Sequence, residues 1–198
     1  MKKNRPTPST IVRAIWSAHD KHERWEALAD VESLLPDRNF YRTFVEVWEN
    51  SESNAYHLPL IDRLIDIRDV SVSRVMPVLL KRDRDFFDQL PDPIPVYRGT
   101  TMEDPYGDYS WSTDRDKAEW FANRCYEATP AMATGFVRKA DILFAYAGRD
   151  ESEIAVRPGA VFDKSIRAIG PWQKNLGYKF YATVQGKGNP PRFNGAQR

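Results

Sequence analysis

The chain has 198 residues and a formal net charge of +1, and 41% of its residues are hydrophobic, with 6 Trp, 9 Tyr and 10 Phe among them. That content excludes a disordered polymer and supports a packed core, while the near-neutral balance supplies no global field toward nucleic acid or an anionic membrane. A single cysteine, Cys125, excludes an internal disulfide and points to a reducing compartment.

The basic start Met1-Lys2-Lys3-Asn4-Arg5-Pro6 is not followed by a long apolar run. Neither a signal peptide nor a membrane span is expected, and the cytoplasm is the expected location. Ser9 and Thr10 read as N-cap residues for a helix carrying Ile11, Ile15 and Trp16. Trp25, Leu28, Ala29 and Leu35 suggest a second helix that ends near Pro36. Over Asn39–Glu49, the residues Tyr41, Phe44, Val45 and Trp48 fall at i, i+3, i+4 and i+7, which predicts an amphipathic helix. Pro59 suits the first turn of a helix presenting Ile61, Leu64 and Ile65. A further helix is expected over Val72–Lys81, kinked at Pro77, and a short helical turn over Asp85–Leu90. His19, His22 and His57 all lie in this half without ligand spacing, and read as surface or packing residues.

Leu90-Pro91-Asp92-Pro93-Ile94-Pro95 breaks the pattern with three prolines and marks a boundary. Beyond it, strands are expected at Val96–Arg98, Tyr109–Trp111, Thr134–Arg138, Ile142–Ala145, Glu153–Val156, Val161–Ala168 and Phe180–Val184. One helix interrupts them at Lys117–Cys125, capped by Asp114, with Ala118, Phe121 and Ala122 on one face. The fold class is therefore α+β: a helical region over residues 1–90, a mostly antiparallel sheet over 91–185, and a basic Gly/Pro/Asn-rich tail over 186–198.

Three short stretches carry side chains suited to chemistry. Val96-Tyr97-Arg98-Gly99 ends a strand with a guanidinium beside a residue that lets a ligand approach the backbone, an arrangement suited to phosphate. By itself, this stretch reads first as a buried arginine satisfied by a carboxylate. Tyr109-Ser110-Trp111-Ser112-Thr113-Asp114 places hydroxyls at a strand-to-helix junction, where they can cap the helix or orient a carboxylate. Glu151-Ser152-Glu153 runs into the apolar Ile154-Ala155-Val156 and a Pro158-Gly159 turn. In an extended strand Glu151 and Glu153 would share a face, about 7 Å apart. Facing a cleft, the pair could do electrostatic and acid/base work; facing solvent, it is the polar half of an amphipathic strand.

In this order and spacing, the three stretches resemble the arginine–serine–glutamate class of mono-ADP-ribosyltransferases. The resemblance covers residues 94–184 and implies an ADP-ribosyltransferase-like split β-sheet core. It implies NAD as substrate, with transfer of ADP-ribose to a protein and release of nicotinamide. Arg98 would hold the NAD phosphates, and Gly99 would offer backbone groups to the nicotinamide carboxamide. Ser112, with Thr113 beside it in the cofactor site, would orient Glu153. Glu153 would be the catalytic glutamate, bonded to the 2′-hydroxyl of the nicotinamide ribose. Glu151 would position or activate the nucleophile, and a glutamate there implies an arginine acceptor. Tyr146 and Arg149, in an expected target-recognition loop over Tyr146–Asp150, would contact that acceptor. The family's Ser-Thr-Ser reads Ser112-Thr113-Asp114 here, a variation at its third position. No metal is implied. Relatives lacking secretion signals are often bacterial or phage effectors. The alternatives are a catalytically reduced module of the same fold that binds NAD, ADP-ribose or a partner protein, and an NAD glycohydrolase. Nothing in the sequence specifically indicates a nucleic-acid acceptor.

Overall fold

The computed structural model describes residues 6–18, 20–51, 54–103, 109–124, 129–148 and 152–169. It divides into two compact units, Met1–Asp85 and Phe86–Arg198. The first unit is helical. It contains α1 (Pro8–Ala18), α2 (Arg24–Val31), α3 (Asp37–Asn50), α4 (Leu58–Ile67) and α5 (Val72–Val75). Helix α6 (Lys81–Gln89) runs across the division, which therefore falls ahead of the proline-rich stretch.

The amphipathic stripe of α3 does what its spacing requires. Phe40, Phe44 and Trp48 are buried, and Phe44 and Trp48 meet Trp25 of α2, whose ring lies edge-on to Phe44 at 5.1 Å. The Trp25 indole N–H, left inside this apolar cluster, donates to the Asn54 side-chain oxygen at 2.9 Å. Arg68 closes the unit from its edge. It donates to the Glu32 and Leu35 carbonyls, pairs with Asp37 at 2.8 Å and lies over the Phe40 ring.

Two local details differ from expectation. The α1 cap is Thr7, whose hydroxyl accepts from the Thr10 N–H, so Ser9 and Thr10 lie inside the helix. The helix expected over Val72–Lys81 stops after one turn and continues as a 3-10 turn over Met76–Val78. Pro77 lacks the amide that a continued helix would use, and the chain restarts as α6.

The second unit carries β1 (Ile94–Thr101), β2 (Ser110–Ser112), helix α7 (Arg115–Ala122), β3 (Pro130–Val137), β4 (Ile142–Tyr146), β5 (Glu153–Val156) and β6 (Phe162–Ala168). All pairings are antiparallel, in the order β4-β5-β2-β1-β3-β6. The α+β class is therefore as expected, with helices first and the sheet after. Strands β1 and β3 pair along their whole lengths, from Ile94↔Val137 to Thr101↔Pro130. By contrast, β1 meets β2 only at Tyr97↔Ser112 among the described residues. The sheet thus consists of two halves, β4-β5-β2 and β1-β3-β6, joined at that pair. The strand expected at Phe180–Val184 lies outside the described residues.

Helix α7 packs on β1 through small residues. Ala118 and Ala122 are buried, whereas Phe121, expected on the same face, is exposed and edge-on to Trp120. The close approach requires Gly99, because a Cβ there would fall onto the Ala118 carbonyl oxygen and the Ala122 amide nitrogen. Asp114 caps α7 as expected, its carboxylate accepting from the Asp116 and Lys117 N–H groups at 2.9 and 3.1 Å.

Candidate active site

Glu153 is the first residue of β5 and stands opposite Ser112 of β2 on one side and Tyr146 of β4 on the other. Directly opposed residues share a face, so all three side chains leave the sheet on the same side. Ser112 and Glu153 are each only 9% exposed. A carboxylate this deep in a sheet needs fixed donors, because water cannot solvate it fully.

One such donor is Ser110. Its hydroxyl donates to Glu153 Oε1 at 2.6 Å, a short bond of the kind formed to an ionised carboxylate. The same residue's carbonyl accepts from Arg98 Nη1 at 2.7 Å. Arg98, Ser110 and Glu153 thus form a hydrogen-bonded chain across β1, β2 and β5. It spans the place where the two halves of the sheet are joined.

Ser112, expected to orient Glu153, braces the turn into α7: its hydroxyl oxygen accepts from the Asp114 N–H at 3.0 Å. It stands opposite Glu153 by register, and a short bond to Oε1 comes from the serine two positions earlier. In a strand, i and i+2 face the same way, so a Ser-x-Ser pattern offered both candidates, and period-two reading of the strand could have found Ser110. Thr113 is also committed to the scaffold. Its N–H and hydroxyl both reach the Ser152 carbonyl, at 2.9 and 3.3 Å.

Those bonds hold an unusual backbone. Ser152 has φ +46°, in the left-handed region that side-chain-bearing residues seldom occupy. The strand therefore starts at Glu153, and the simple extended alternation expected for Glu151 and Glu153 does not extend back through Ser152. Glu151 and Arg149 lie outside the described residues.

Tyr146 was expected in a recognition loop. It is instead the last residue of β4 and only 4% exposed. A Cβ on Gly148 would fall on its phenol ring, so the chain after β4 packs over Tyr146, and that glycine permits the contact. Gly99 likewise has a structural occupation, since the space beside it is filled by α7. Among the described residues no three His, Cys, Asp or Glu side chains are grouped as a metal ion would need, and no helix is long and apolar enough to cross a membrane.

No family model matches the chain, and no curated protein or solved structure matches it either.

Proposed function

We propose that the protein cleaves NAD at the nicotinamide–ribose bond and transfers ADP-ribose to an arginine side chain of another protein. The observation that carries this reading is the chain from Arg98 through Ser110 to Glu153. It links the arginine, serine and glutamate stretches whose order in the sequence resembles that of mono-ADP-ribosyltransferases.

The chemistry asks little more of the protein than this set supplies. As the C1′–N bond breaks, its electron pair leaves with nicotinamide, which departs neutral and needs no general acid. Positive charge develops on the ribose, as in glycoside cleavage. Glu153, held by Ser110 and largely withdrawn from water, supplies a fixed negative charge beside that ribose and a partner for its 2′-hydroxyl. Arg98 supplies positive charge for the diphosphate. A nitrogen of the acceptor guanidinium then attacks C1′, and Glu151 takes up its proton.

The test is to incubate the full chain with labelled NAD and a cell lysate, alongside Glu151→Gln. The unmutated chain is expected to release nicotinamide and to label protein on arginine. Glu151→Gln is expected to release nicotinamide while labelling is lost. Equal loss of both would contradict the division of labour, and release without labelling by the unmutated chain would make the protein a glycohydrolase.

A further inference from the structure

Between the half-sheet β1-β3-β6 and the start of α7 lies an open surface cavity of about 340 Å³, lined by Tyr97, Arg115, Thr134, Phe136, Ser165 and Arg167 among others. This volume is within the range of small-molecule sites, and the lining is chemically one-sided. It brings two guanidinium groups and three hydroxyls together with no carboxylate. Neither Arg115 nor Arg167 is held in an ion pair or hydrogen bond among the described residues. The Thr134 and Ser165 hydroxyls bond each other at 2.8 Å, which uses one hydroxyl proton and leaves the other available to an acceptor.

The cavity also has an aromatic wall. Phe136 is 40% exposed although it sits within a strand, and its ring lies beside that of Phe162 at 6.2 Å. The register between β3 and β6 shifts between Thr134 and Phe136, opposite Asp163 with φ +49°. Such a bulge bends a strand locally and re-aims its side chains, here parting the positions of Ser165 and Phe162.

We propose that this cavity binds a nucleoside 5′-phosphate, its phosphate between Arg115 and Arg167 and its base against Phe136 and Tyr97. Guanidinium groups and hydroxyls match phosphate oxygens, and an exposed ring offers a stacking surface to any base. The site does not depend on the role given to Glu153. The same chemistry could arrive as a free nucleotide or as the adenylate end of NAD.

The experiment is calorimetric titration of the full chain with AMP, adenosine and inorganic phosphate, repeated on Arg115→Gln, Arg167→Gln, Phe136→Ala and Glu153→Gln. AMP is expected to bind, and adenosine about tenfold or more weakly. Each arginine variant should weaken AMP about tenfold, and Phe136→Ala severalfold, while Glu153→Gln leaves AMP binding unchanged. Both arginines and Phe136 are exposed, so these variants are expected to fold, and circular dichroism verifies it. Competition between NAD and AMP in Glu153→Gln identifies the ligand as the adenylate end of NAD; simultaneous binding identifies a separate nucleotide. Absence of AMP binding, equal affinity for adenosine and AMP, or loss of AMP binding in Glu153→Gln with the arginine variants unaffected would overturn the proposal.

Discussion

Replacing Ser110 by alanine separates the two serines that could orient the candidate catalytic carboxylate. The Ser110 hydroxyl donates to Glu153 Oε1 at 2.6 Å, and Glu153 is 9% exposed, so water does not readily take the lost donor's place. A hydrogen bond to a charged group contributes about 1.5–3 kcal/mol. If that contribution holds Glu153 in the orientation used for bond cleavage, Ser110→Ala lowers nicotinamide release about 10- to 150-fold at saturating NAD. The Ser110 carbonyl survives the substitution, so its bond with Arg98 and NAD binding should change little. Ser112→Ala removes instead the acceptor of the Asp114 N–H, and should cost about 1 kcal/mol of stability with a smaller effect on turnover. The assay is single-turnover nicotinamide release, with NAD affinity measured separately and thermal melts as a folding control. Full activity in Ser110→Ala together with a large loss in Ser112→Ala would refute the assignment of Ser110.

Two further substitutions test the frame around the site. Gly99→Ala places a Cβ against main-chain atoms of α7 that cannot rotate away, and should cost at least about 1–3 kcal/mol. An unchanged denaturation midpoint would show that α7 does not rest on β1 there. Asp114→Ala removes the α7 cap and should cost about 1 kcal/mol, with much of it restored by Asp114→Asn. Equal midpoints for all three chains would contradict the capping role.

Features set by local chemistry were legible in the sequence. Asp114 could be read as a cap because capping involves only its own next few residues, and β5 was expected at Glu153–Val156, where it lies. The stripe on α3 was legible because its period is its burial pattern. What was not legible depends on partners distant in sequence. Ser110 and Ser112 are equivalent by strand period, and only the folded structure shows the Ser110 hydroxyl on Glu153 Oε1. Gly99 could admit either a ligand or a helix, and only the position of α7 shows that the helix takes the space. Tyr146 looked like a loop residue because pairing with Glu153 and covering by Gly148 are tertiary events. The left-handed turn at Ser152 is stabilised by Thr113, far upstream, so no local signal marked it. Arg115 and Arg167 gained meaning only when the sheet brought β6 beside β3.

The central claim is that Glu153 assists cleavage of the nicotinamide–ribose bond, and the most direct measurement is nicotinamide release from NAD by the purified full chain and by Glu153→Gln. Removing a fixed charge partner of a developing transition-state charge commonly costs about 10²–10³ in rate. The unmutated chain is expected to release nicotinamide, and Glu153→Gln to do so at least about a hundredfold more slowly, with NAD still bound. Absence of release by the unmutated chain, or equal release by the two, would contradict the account.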